Sequence, residues 1–220
     1  MVLLILASLG GQAGEAWQQA LAGMPLGKVS ELNRTNCVDV MLTAFRSNAV
    51  VKALIFMPGA TDELYFFKRA RATMTNNSPT LLEAVTALTN QSYIKLTFSP
   101  PLLLLHTDED PLEPIINVEH PGTVERLKRT AFLPHARYND RDWDFLQPIL
   151  VRVLAGVAFV PPPESPDSWS FYRHSFTGWN LNGWETLQAL ALAGKTVITV
   201  KHDFIAFGVD HRHNGSPPTK

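Results

Sequence analysis

The sequence holds one cysteine, Cys37, among 220 residues. A single thiol excludes an internal disulfide and a zinc site built on several cysteines. Charge is also scarce: 18% of the residues are Asp, Glu, Lys or Arg, and the formal net charge is -1. A chain this close to neutral lacks the field of a general nucleic-acid binder. The basic runs Lys68 to Arg71 and Glu125 to Arg129 are short and read as solvated faces. No apolar run reaches the roughly 18 residues that a membrane-spanning helix needs. No Lys or Arg precedes Lys28, so the apolar stretch Val2 to Leu9 lacks the positive start usual in a secretory signal.

What the chain does have is material for a core, with 45% hydrophobic residues, far from the polar composition of a disordered chain. Gly11-Gln12-Ala13 offers a small-x-small pattern after the apolar start, so residues 1–13 are expected to be a leader and the protein periplasmic or secreted. The alternative is a first buried strand in a cytoplasmic protein. A helix is expected around Glu15 to Ala22. The acidic, proline-bearing stretch His106 to Thr123 and the run Val160 to Ser168 read as punctuation, and the last residues as a tail.

Between these lie two segments with one plan. In the second, Ser168 to Leu181 is aromatic and reads as a strand, bulged near Gly178. Asn182, with Glu185 three residues on, matches a helix-opening capping box. Trp184, Leu187 and Leu190 recur at helical spacing, which places Trp184 in the core, and Gly194 stops the helix. The chain then alternates on both sides of His202-Asp203, as a hairpin does. In the first segment, Glu63 to Thr75 reads as the strand, and Ser78 and Pro79 suit the N-cap and first helical position. Leu81, Leu82, Val85 and Leu88 make the apolar helix face. Ser92 to Phe98, a turn at Ser99-Pro100-Pro101 and Leu102 to Thr107 make the hairpin. An offset of 105 aligns Asp62 with Asp167, Phe66 with Phe171, Asn77 with Asn182, Leu82 with Leu187 and Ala84 with Ala189.

The expected fold is therefore α+β, two β-α-β-β repeats with antiparallel hairpins, each sheet packed on a helix. The boundaries are residues 14–115 for the first repeat, 116–130 for a linker, 131–211 for the second repeat and 212–220 for the tail. Leu82, Glu83, Ala84, Val85 and Leu88, with Leu187, Gln188, Ala189 and Leu190, make both helix-hairpin halves resemble the short N-terminal (STN, secretin-type) modules of bacterial secretins and TonB-dependent receptors. The resemblance covers some 70 residues, and no pore or barrel sequence follows. It implies an envelope-facing module that docks proteins without performing chemistry.

Three chemical readings compete with that one. "LLLLHTDED" resembles the acid-bearing strand of an α/β-hydrolase, with His106 and Asp110 as its site residues. The nucleophile elbow is missing, however. Ser78, the serine at a strand-to-helix turn upstream, has no flanking glycine, and Pro79 removes an oxyanion-hole N–H. Asp140, Asp142 and Asp144 alternate like the start of a calcium loop, but Phe145 and Val151 stand where that loop needs Gly and Glu. They are read as a solvated acidic edge, and no cofactor is expected. The seven histidines are scattered; His106, His135 and His174 meet only if folding brings them together, and Asp210 to His213 lies on the tail.

Four of the five tryptophans, Trp143, Trp169, Trp179 and Trp184, fall in one stretch. On the Ser168–Leu181 strand, Trp169 faces one way while Tyr172 and Phe176 face the other. A helix covers one face. The second is expected to be covered as well; left open, Trp169, Tyr172 and Phe176 would offer a platform for a sugar ring or a partner.

These readings converge on a non-catalytic interaction module with a protein partner or self-association. A small hydrolase or metal-assisted enzyme at His106 and Asp110 is the alternative, and a glycan-binding module the third. The export expectation has a direct check. Residues 1–30 fused to a reporter active only outside the cytosol should give activity that disappears when Met1 to Ala13 are deleted. An inactive but well-expressed fusion would return Val2 to Leu9 to the folded core.

Overall fold

The computed structural model describes residues 11–33, 40–41, 51–56, 71–92, 94–106, 113–130, 133–141, 157–160, 174–194 and 196–209. The chain forms two units, Met1–Leu54 with Leu64–Leu112, and Ile55–Glu63 with Glu113–Lys220. It is mixed α+β, with four helices among the described residues and small sheets of mainly antiparallel strands. None of these helices is long and apolar enough to cross a membrane.

The first unit begins with α1 (Gly11–Ala22), which includes the expected Glu15–Ala22 helix. Trp17 and Leu21, one turn apart, are buried. The Trp17 ring lies 5.1 Å from that of Phe98, tilted by 34°. After α1 the chain runs extended. Residues 24–32 lie antiparallel to residues 72–81, from β1 (Glu31–Leu32) on β3 (Ala72–Thr73) to a bridge between Pro25 and Thr80. β2 (Ala53–Phe56) lies where the chain passes between the units. Most of the strand expected at Glu63 to Thr75 lies outside the described residues.

This extended run moves the helix start. Pro79 accepts from the Leu26 amide at 2.9 Å and Asn77 from the Val29 amide at 3.1 Å, while Leu81 donates to Met24 at 2.8 Å. Residues 77–80 are thereby held out of helical geometry, so Ser78 and Pro79 do not open the helix as expected. Thr80 is the N-cap of α2 (Leu81–Gln91), and its hydroxyl and the Glu83 carboxylate close a capping box. Leu81, Ala84, Val85 and Leu88 form the buried stripe. β4 (Lys95–Ser99) and β5 (Leu102–His106) then pair antiparallel across the Pro100-Pro101 turn. All five β5 residues are buried, which explains an uninterrupted leucine run where alternation would mark an open face.

The second unit takes in the whole of the expected linker, since the chain belongs to it from Glu113 onward. Residues 116–130 are not a linker: β6 (Ile115–Val118) pairs parallel with a later strand, and α3 (Pro121–Lys128) follows. The reason is local. Ile115, Ile116 and Val118 favour a strand. Pro121 suits a first helical turn, and Val124 and Leu127 recur on one helix face and are buried. The acids and prolines around them mask that pattern. Glu125, Arg126, Lys128 and Arg129 are exposed, as expected of a solvated face.

β7 (Leu133–Arg141) pairs antiparallel with β9 (His174–Leu181). β8 (Ala158–Val160) is short. The expected bulge near Gly178 lies instead on the partner strand: Gly178 pairs regularly with Ala136, and the register shifts between Tyr138 and Arg141. Asn180, at φ 51°, takes the left-handed conformation that asparagine tolerates just before the helix. Asn182 and Glu185 close the anticipated capping box on α4 (Gly183–Ala193), at 2.9 Å in both directions, and Gly194 caps its end. β10 (Thr196–Val200) and β11 (Phe204–Val209) make the hairpin around His202-Asp203. The sheet order is β6-β10-β11-β8, with both outer pairs parallel.

α4 has eight buried residues, including every one from Ala189 to Ala193, and at its start the Asn182–Glu185 box satisfies amides that lack an intrahelical partner. Replacing Asn182 by Ala is expected to cost about 1 kcal/mol, measured by chemical denaturation, while Asn182→Asp retains most of the stability. Equal losses in both variants would show that the side-chain cap contributes little.

Candidate functional site

Among the described residues, those singled out in the sequence do not assemble into one site. His106 ends β5 at 2% exposed. Its Nε2 lies 2.8 Å from Thr97 Oγ1, a diagonal cross-strand contact of the β4–β5 pair. This is a packed core imidazole. Asp110 lies outside the described residues, as do Asp142, Asp144, Trp169 and Tyr172. Asp140 falls within β7. Phe176 is 1% exposed and therefore belongs to the core, not to an open aromatic platform. Trp184, expected in the core, is half-buried, and so is Trp179. Among the described residues, no group of three or more His, Cys, Asp or Glu side chains is placed to hold a metal ion.

Two features of the second unit were not anticipated. The first is the β6 edge. Ile116, Val118, Ile198, Val200, Ile205 and Phe207 share one face of the four-stranded sheet by register, and α4 packs beside β6 and β10. Ile198, Val200, Ile205 and Phe207 are buried there. Val118, at the margin, is 44% exposed. The opposite face carries Ile115, Asn117, Thr199, Phe204 and Ala206, all half-buried or exposed. The Glu119 amide donates to Val200 at 3.0 Å. Strand alternation then turns the amides and carbonyls of Ile116 and Val118 away from β10. Among the described residues no strand pairs with that side.

β8 is the other edge, with Val160 at 43% exposed. It has only three residues and runs directly into Pro161, Pro162 and Pro163, which cannot donate to a ladder. β6 is the better edge for pairing.

The second feature is a polar cluster where β6 ends, α3 begins and the β10–β11 turn folds over. His120 is the N-cap of α3, and its Nδ1 lies 3.1 Å from the Thr123 amide and 2.9 Å from Thr123 Oγ1. Thr123 Oγ1 donates to the His202 carbonyl at 3.0 Å. His202 Nδ1 lies 2.6 Å from Asp203 Oδ1. The two imidazole rings meet edge to face with centroids 4.5 Å apart. Lys201 Nζ lies 3.6 Å from Glu119 and 5.4 Å from the Phe204 ring centroid. Farther along α3, the Lys128 hydrogen bond, aided by its charge, holds the Glu125 carboxyl below its ordinary range.

Sequence reading passed over both features for identifiable reasons. β6 lay inside a stretch read as punctuation, and the two histidines are 82 positions apart, from 120 to 202. The signals available were the β-branched run at Ile115–Val118 and the His-Pro-Gly-Thr start of α3. Compared with protein-family models, with curated proteins and with solved structures, the chain matches none.

The His106 contact yields a stability prediction. Thr97→Val removes the hydroxyl beside a buried imidazole and is expected to cost about 1–3 kcal/mol in chemical denaturation, with Thr97→Ser close to the parent. An unchanged Thr97→Val would mean that the 2.8 Å contact contributes nothing to stability.

Proposed function

We propose that the protein is a non-catalytic interaction module of a bacterial envelope that docks a protein partner, an extended segment of which adds as a strand to β6. The observation that carries this reading is the β6 edge: outward-facing amides at Ile116 and Val118 and an exposed apolar side chain at Val118. Main-chain hydrogen bonds would supply affinity, and the alternating side chains beside Val118 and Asn117 would supply selectivity.

Charge argues for a foreign partner over a second copy. Glu113 and Glu119 flank β6, and both are exposed. In a symmetric antiparallel pairing centred on Ile116, Glu113 of each copy would meet Glu119 of the other, and like charges placed opposite each other disfavour pairing. A partner strand with apolar residues at alternate positions and no acidic flank fits.

The two-repeat organisation belongs to this reading. Each unit has an eleven-residue helix opened by a capping box and followed by an antiparallel hairpin. The boxes are separated by 102 positions, Thr80 to Asn182 and Glu83 to Glu185. That spacing replaces the offset of 105, which paired Asn77 with Asn182. An extracytoplasmic location is supported by the apolar start and by the resemblance to secretin-type modules.

The test is in-cell cross-linking from a photoreactive residue at the exposed position 117, with and without Val118→Pro. Proline at 118 removes an outward amide and leaves the β10 ladder intact, so the melting temperature should hold while a discrete adduct disappears. An adduct that survives the proline would exclude strand addition at β6. The absence of any adduct in the parent would exclude docking there.

A further inference from the structure

We propose that His120 and His202 form a two-histidine site for a late first-row divalent ion of the zinc type. Neither histidine was assigned a role above beyond capping α3 and turning the hairpin, and the site does not depend on docking at β6.

The geometry starts from the nitrogens. Both rings are held through Nδ1, His202 by Asp203 Oδ1 and His120 by Thr123. Each is thereby oriented with Nε2 left over. A carboxylate on the far ring nitrogen is the arrangement that fixes the tautomer and raises the basicity of a metal-binding histidine. For His120, the binding tautomer carries its proton on Nδ1 and donates it to Thr123 Oγ1, 2.9 Å away, while that hydroxyl donates onward to the His202 carbonyl at 3.0 Å. This tautomer gives up the capping bond from the Thr123 amide. The amide is not stranded, because the His120 carbonyl lies 3.1 Å from it.

The ring spacing agrees. Two imidazoles bound side by side through Nε2, each at about 2.0–2.1 Å from one ion, place their centroids about 4.5–5.2 Å apart. The observed separation is 4.5 Å. The position of the His120 ring depends on Gly122, where a Cβ would come within 3.0 Å of His120 Cε1. With no third His, Cys, Asp or Glu placed to complete a set among the described residues, water fills the remaining positions. The bound ion would tie the β10–β11 turn to the start of α3, immediately after the edge strand β6. Imidazole ligands suit zinc, copper and nickel better than magnesium or calcium.

The test uses the full chain without a histidine tag, titrated with zinc chloride by calorimetry and followed by nitrogen NMR of the histidine rings. The expected result is saturable binding with Nε2 signals of His120 and His202 shifting together. His120→Asn keeps a capping oxygen and so keeps the fold; with His202→Gln, it should weaken binding by about tenfold or more, and Asp203→Asn by about tenfold. Magnesium chloride should give no saturable response. The tail double variant His211→Ala/His213→Ala should bind like the parent. Failure to bind zinc, or binding that survives His120→Asn and His202→Gln and disappears with the tail variant, would overturn the site.

Discussion

The second unit depends on a helix that has almost no solvated face. α4 is buried on every side over its last five residues, and β9, β10, β6 and α3 all pack against it. The Asn182–Glu185 box satisfies amides at the start of α4 that have no intrahelical partner. Its burial also explains why the sheet is shaped as it is. Ile198, Val200, Ile205 and Phe207 share the buried face by register, and the alternation of β10 and β11 follows from that burial.

The two units treat their strand edges differently. At β3 the Gln91 side chain, from the last turn of α2, meets the Thr73 backbone with two hydrogen bonds of 2.9 Å, donating to its carbonyl and accepting from its amide. A side-chain amide there takes the place of a neighbouring strand. β6 has no comparable cover among the described residues. Its protection is two flanking glutamates, which oppose self-pairing without blocking a partner of suitable charge. Among the described residues the β6 edge is left open, and the histidine cluster lies at its end.

Much of the architecture was legible from local chemistry. The Asn182 box, the hairpin around His202-Asp203, the β4–β5 hairpin and the helix near Glu15 all follow from side chains acting within a few residues of one another. The misreadings share one cause. Ser78 and Pro79 have good helix-opening chemistry, but backbone pairing with residues 24–29 holds that stretch extended. Residues 116–130 look like a linker until their apolar positions are given a neighbour to pack on. His106 resembles a catalytic histidine until its strand is buried and its Nε2 rests on Thr97.

By itself, the sequence determined the α+β class, the near-neutral surface and the helix-hairpin order, because capping, turn formation and hydrophobic period act over a few bonds. The tertiary structure decided how those elements are placed. It selected Thr80 over Ser78 as a cap, placed Phe176 in the core, left the outer side of β6 without a described neighbour and brought His120 to His202. Each of these outcomes rests on contacts between residues far apart in the chain, and such contacts leave no period in the sequence.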